Sequence, residues 1–214
     1  GFDVPENSAA GTLVTQLVGN ISTPKPVQVT DPDPGDTFTF TESGAGTGNG
    51  LFQINSATGQ ISVQSGAVLN FEATRSFTYT FTVTDSFNLT GNGSVTINLT
   101  DVNETPTISS PTVGQTVTFT ENNSTQFFQV LASDPDANTT LTYSLTGAAA
   151  TAGATIDSAT GKITWTPNET QGAASPGASF TATVSVSDGV LSASRAFVFR
   201  VLEDNQAPVL GPIG

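Results

Sequence analysis

Apolar and hydroxyl-bearing residues alternate along much of this chain. Residues 37–43 read TFTFTES, 76–86 read SFTYTFTVTDS and 93–101 read GSVTINLTD. The alternation returns in TVTFTEN at 116–122, SFTATVSVSDG at 179–189 and RAFVFRVLED at 195–204. Period two in β-branched and aromatic residues predicts strands with one face buried and one wet. Gly, Asn, Pro and Asp break the runs at short intervals, which is the punctuation of an all-β sandwich. No stretch sets apolar residues at helical spacing between caps.

The chain also repeats itself. VTDPDPGDTFTFTESG from residue 29 returns as ASDPDANTTLTYSLTG from residue 132. FQINSATGQISV returns as ATIDSATGKITW, FTYTFTVTDS as FTATVSVSDG, and LTDVNETPTI as LEDNQAPVL. The offsets agree: Asp31 to Asp134 and Asp85 to Asp188 are each 103, Gly59 to Gly161 and Asn103 to Asn205 each 102. Ungapped matches at one offset mark two copies of one structural unit. The expectation is an all-β chain of two tandem Greek-key β-sandwiches, over residues 1–104 and 105–214.

Composition narrows the chemistry. Hydrophobic residues make up 36% of 214, with 14 Phe, enough for a real core in each unit. There is no cysteine, hence no disulfide framework and no thiolate metal site. There is no histidine, which removes the commonest general base and the usual zinc ligand. Five Lys+Arg against 18 Asp+Glu give a net charge of −13. Such a chain repels nucleic acid and anionic membrane and suits cations. No apolar run approaches the ~20 residues of a membrane span, and no signal peptide is seen. The chain reads as a segment of a longer extracellular array, in a compositional style that suggests a bacterial surface or secreted protein.

The acids concentrate in the repeated landmarks. Glu6 follows Pro5, Asp31 and Asp33 form a D-x-D, Asn70 and Glu72 lie in LNFE, and Asp85 ends a strand run. Asp101, Asn103 and Glu104 crowd into DVNETP between the two copies. In the second copy Glu121, Asp134, Asp136, Asp188 and EDNQ take the corresponding places. A slack tether would use Gly and Ser, whereas this one packs oxygen donors and stiffens its exit with Pro106.

This ordered set, VPEN, DPD, LNFE and DVNETP, resembles the cadherin repeat, as does FQINSATGQISV. The second copy, with ASDPD, IDSATGKITWTP, VSDG and NQAPVL, is similar to bacterial cadherin-like and immunoglobulin-like domains. The resemblance implies one to three Ca2+ ions at the interdomain linker. The implied donors are Glu6, Asn70 and Glu72 of the first copy; Asp101, Asn103, Glu104 and the carbonyls of Val102 and Thr105 in the linker; and Asp134, Asp136, Asn138 and Asp188 of the second. Calcium takes six to eight oxygens, which loops at sandwich ends can supply. Asn70 stands where the family has an aspartate, and Glu104 is one methylene longer than its counterpart. Asp31 and Asp33 would serve a joint ahead of this segment. Glu121, Glu169 and LEDNQAP would serve one after it.

Two other function classes bear on these acids and aromatics. Paired carboxylates can cleave glycosides, but repeated sandwich-end positions account for these acids and no nucleophile motif is present, so no enzyme is expected. A carbohydrate-binding module with structural calcium would use exposed aromatics. Trp165 alternates with Ile163 and is expected to point inward. Polysaccharide or another surface protein remains the alternative partner. Nine Asn-X-Ser/Thr triplets, at Asn20, Asn88, Asn92, Asn98, Asn103, Asn122, Asn123, Asn138 and Asn168, fit the glycan acceptor pattern, which a chain rich in these residues also produces freely.

Overall fold

The structure, a computed structural model, describes residues 1–18, 21–44, 46–172 and 177–207. The Asn20 triplet and the last residues of NQAPVL lie outside them. Contacts divide the chain into two compact units, Gly1–Val102 and Asn103–Gly214.

The first unit is a β-sandwich. Its larger sheet runs β3(Ile21–Pro24), β2(Thr15–Val18), β1(Phe2–Pro5), β8(Thr90–Thr100), β7(Ser76–Thr84), β4(Thr39–Glu42). All neighbours are antiparallel except β1 and β8, which are parallel with Phe2 opposite Ile97 and Pro5 opposite Thr100. The facing layer is the hairpin β5(Phe52–Ile54) and β6(Ile61–Val63). It is joined to residues 11–14 by a Leu13 to Ser62 bridge and by Val14 N–H donating to the Ile61 carbonyl at 3.1 Å. Between the layers lie Val4, Val14, Phe40, Phe52, Ile61, Phe77, Tyr79, Phe81, Ile97 and Leu99.

The second unit repeats the plan with its own core. Its main sheet runs β10(Thr116–Thr120), β17(Ser192–Leu202), β16(Ala178–Ser187), β13(Thr142–Thr146). Here β10 and β17 are the parallel pair. A three-stranded layer of β11(Phe127–Gln129), β15(Lys162–Thr164) and β14(Thr155–Ile156) faces it. A short ladder joins β9(Thr107–Ser110) to β12(Leu131–Ser133). Phe119, Trp165, Val184, Phe197 and Phe199 fill the interior. Trp165 is 4% exposed, crosses Phe180 edge to face at 5.0 Å, and donates its indole N–H to the Ala152 carbonyl at 3.2 Å. An inward Trp165 is what alternation with Ile163 predicts.

The period-two runs are strands, and their wet faces carry hydroxyls. Thr78, Thr80 and Thr82 of β7 face out while Phe77, Tyr79 and Phe81 face in. No charged residue occurs in β7, β8, β13 or β16. Two one-turn helices, Ala148–Thr151 and Glu169–Gly172, depart from the strand-only expectation. Four residues are barely one turn, too short for a hydrophobic period to show. The first of these has no side-chain cap. Phe87 and Phe127, 72% and 56% exposed, also depart from the expectation of inward aromatics. Phe127 is instead covered by the Lys162 ammonium, 4.6 Å from its ring.

The repeated SATG turn shows why glycine recurs there. Gly59 has φ +67°, and a Cβ would lie 2.8 Å from the Phe40 ring. Gly161 has φ +71°, and a Cβ would lie 2.9 Å from the Tyr143 ring. Each glycine therefore meets a steric and a backbone demand together. Gly59→Ala and Gly161→Ala should each destabilise by about 2 kcal/mol. Denaturant melts should show the first change moving only the transition of residues 1–102, and the second only that of residues 103–214.

Candidate metal centre

At the foot of the first unit, β1 is followed by Glu6, whose N–H donates to the Thr100 carbonyl at 3.1 Å. This last rung of the parallel ladder turns the side chain inward, and Glu6 is 2% exposed. Its Oε2 accepts the Phe71 N–H at 2.8 Å and its Oε1 accepts the Val102 N–H at 3.1 Å. One buried carboxylate thus ties the first strand to the LNFE turn and to the chain leaving the domain. Asn7, at φ 55°, donates its N–H to the Leu69 carbonyl at 3.1 Å. Asn70 closes its own turn, with Oδ1 accepting the Ala73 N–H at 2.6 Å. Carboxylate oxygens of Glu6, Glu72 and Asp101 lie within 4.8 Å of one another. Glu72 and Asp101 are exposed, Glu6 buried.

The head of the second unit gathers the other donors. Asp136 Oδ2 accepts the Glu104 N–H at 2.8 Å, and Asp134 Oδ1 accepts the Asp136 N–H at 3.0 Å. Asn103 Nδ2 donates to Asp188 Oδ2 at 2.9 Å. Asp188 Oδ1 accepts the N–H groups of Val190 and Leu191, both at 2.6 Å. Oδ2 of Asp134 and Oδ1 of Asp136 are buried without a hydrogen-bond donor among the described residues. Burial pushes the Asp134 carboxyl up, and the charges of Asp136 and Asp188 add to this. For Asp188 burial works upward too, but the Asn103, Val190 and Leu191 donors outweigh it and hold the group below its usual value. Asn138 sits exposed at φ 64°, and Thr105 is exposed.

These donors are all oxygens, several are ionised, and two are buried with nothing to accept from. Buried carboxylate oxygens without donors are costly unless a cation meets them. An oxygen-only set fits a hard divalent cation of the calcium type.

Similar architecture recurs at both remaining ends. At the head of the first unit, oxygens of Asp31, Asp36 and Asp85 lie within 4.8 Å of one another. Asp85 Oδ1 accepts the N–H groups of Phe87 and Leu89 at 2.8 Å. Asp33 donates its N–H to Asp31 at 2.9 Å and stands outside this trio. Asp36 escaped the sequence reading. The second copy has Thr139 at the corresponding place, so the repeat gave it no support. The signal available was one more acid in DPDPGD. At the foot of the second unit, Glu121 is fully buried, donates its N–H to the Leu202 carbonyl and accepts the Asp204 N–H, both at 3.0 Å. Glu169 accepts from Asn122 Nδ2 at 2.5 Å.

Two immunoglobulin-type sandwiches in tandem, each with acids collected at its ends, define the class. Residues 1–100 match the cadherin domain and residues 103–199 the bacterial Ig domain, one model to each unit. Among solved structures it is similar to EC22-24 of mouse cadherin-23, at 25% identity and TM-score 0.63, over 94% of this chain and 62% of that one. It is similar in fold to human CDH23 EC21-23, at 19% identity and TM-score 0.62, over 94% of this chain and 71% of that one. The same holds for protocadherin gamma B2 extracellular cadherin domains 3-6, at 20% identity and TM-score 0.59, over 95% of this chain and 50% of that one. The chain thus spans less than two thirds of the mouse cadherin-23 and protocadherin structures. No curated protein matches it significantly. No helix among the described residues is long and apolar enough to cross a membrane.

Truncating Glu6 separates scaffold from ligand. Glu6→Ala strands the N–H groups of Phe71 and Val102 and should cost about 3 kcal/mol even in chelator. Glu72→Ala should cost little there. Urea melts of both variants in chelator check the difference.

Proposed function

We propose that this tandem is a calcium-stiffened spacer or adhesion segment of an extracellular protein. The observation that carries the reading is the division of labour within one tetrapeptide. Asp101 completes the trio with Glu6 and Glu72, and the Val102 N–H anchors Glu6. The very next residues, Asn103 and Glu104, are tied to Asp188 and Asp136. A linker that furnishes donors to two acidic sets in immediate succession suits cations held at the joint itself.

In this reading Glu6, Glu72 and Asp101 hold calcium from the first unit, with Asn70 beside them. Asn103, Glu104, Asp134, Asp136, Asn138 and Asp188 hold it from the second. Val102 and Thr105 add backbone carbonyls. One to three ions are expected. Bound calcium supplies positive charge where carboxylates would otherwise repel, and the residues supply oxygens at a fixed spacing. The neighbours of this segment would be further repeats, consistent with acids at both outer ends. The absence of histidine and cysteine and the repeated sandwich-end positions of the acids favour no enzymatic role.

Calcium that binds only the folded state stabilises by about 2.7 kcal/mol at a hundredfold excess over Kd. Millimolar calcium should raise the melting temperature, chelator should lower it, and magnesium should do much less, since it keeps its waters and demands six-fold geometry. Equal effects of both ions would point to screening of the acidic surface alone. Small-angle scattering tests the joint: an extended particle in calcium, a broader bent ensemble in chelator. Glu104→Ala and Asp134→Ala should each reproduce the chelated profile, and Asp31→Ala should not. If all three variants scatter like the unaltered chain in calcium, the spacer reading fails.

A further inference from the structure

The feet of the two units match bond for bond in their backbone. Asn7 donates its N–H to the Leu69 carbonyl, and Asn122 to the Pro167 carbonyl, at φ 55° and 57°. In the turns that follow, Thr74 donates to the Asn70 carbonyl and Gly172 to the Asn168 carbonyl, at 3.0 and 3.2 Å. The Val102 N–H meets Glu6 as the Asp204 N–H meets Glu121. The trio Glu6, Glu72 and Asp101 therefore corresponds to Glu121, Thr170 and Glu203.

The side chains do not follow the backbone. Thr170 brings no charge, and its hydroxyl donates to Asn168 Oδ1 at 2.6 Å. The acid of this turn is Glu169, in the place of Phe71, and its Oε1 takes Asn122 Nδ2. Glu121 Oε2 has no counterpart of the Phe71 N–H that Glu6 receives and is buried without a donor among the described residues. Gly172 lies on it instead. A Cβ at Gly172 would stand 1.8 Å from Oε2 and 2.5 Å from the carboxyl carbon. Thr74, in the matching place, is exposed, whereas Gly172 is buried. The turn Glu169–Gly172 has thus closed down on its glutamate. A Cα–H against a carboxylate oxygen is a weak contact, but it fills space that a calcium ion at about 2.3–2.6 Å would need. The orphan oxygen of Asp134 has further carboxylates for neighbours, Asp136 and Asp188, whereas that of Glu121 has a glycine backbone. Among the described residues no trio of carboxylate oxygens within 4.8 Å forms at this foot.

We infer that the foot of the second unit is sealed by its own backbone and takes no calcium, so that the ion acts on this unit through its head alone. The inference rests on the calcium reading of the first foot. It revises the expectation that Glu121, Glu169 and LEDNQAP hold a cation. Calcium affinity follows the number of charged ligands and the room they leave, and this foot has lost one carboxylate of three and the room as well.

A calcium titration of the full chain, followed through amide chemical shifts, tests the contrast. The amides of Phe71 and Val102 should shift and saturate. Those of Asn122, Gly172 and Asp204 should stay unshifted up to about 10 mM, tenfold above the weakest affinity of extracellular calcium modules. Glu6→Gln should lose much of the rise in melting temperature that calcium gives, and Glu121→Gln none of it, each variant being compared with itself in chelator. Saturable shifts at both feet, or a smaller calcium increment in Glu121→Gln, overturn the inference and leave the spacer reading standing. Shifts at neither foot overturn the spacer reading, and the contrast between the feet with it.

Discussion

A buried carboxylate that binds backbone rather than another side chain organises the foot of each unit. Glu6 takes N–H groups from Phe71 and Val102, and Glu121 takes one from Asp204. Such charge-assisted bonds are short and directional. They fix where the polypeptide leaves the sandwich, and thus where Asp101 stands. The exposed acids beside Glu6 then occupy set positions instead of sampling many. Pre-arranged like charges are unstable alone, and that instability is what a divalent cation relieves.

The parallel pairing of β1 with β8, and of β10 with β17, has a related effect. It lays the first strand of each unit beside the last, so the beginning and end of a domain share one ladder. The glutamate that closes the first strand is then adjacent to the exit of the last. Strand pairing, buried acid and linker are one continuous construction. A break in the ladder at Thr100 or Leu202 would release all three.

Much of this was legible in the sequence. Alternation marked the long strands: in β7 and β16 apolar inner residues alternate with Ser and Thr throughout, and in β8 and β17 the inner face is apolar from Val95 to Leu99 and from Phe197 to Val201. Repetition marked the two copies, and the ordered acids marked the sandwich ends. What escaped has physical reasons. One-turn helices carry no period. Asp36 has no counterpart in the second copy. Phe127 takes the outer face of β11, whose inner face gives Phe128 to the core, and Phe87 stands in a turn. Asn70 was grouped with the acids by motif, yet its amide oxygen closes the local turn, a competition between side chain and backbone that a linear pattern does not reveal.

The hydroxyl faces of the long strands bear on how the molecule responds to its surroundings. With no charge in β7, β8, β13 or β16, the broad sides of the sandwiches present little for mobile ions to screen. Most of the acids stand at the two ends of each unit, while Asp3, Glu42, Lys162, Arg195 and Arg200 lie in strands. Changes in ionic strength therefore act most strongly on the acid-rich ends of each unit. The hydroxyl-bearing faces of β7 and β16 therefore stay hydrated without charge across a wide range of electrolyte.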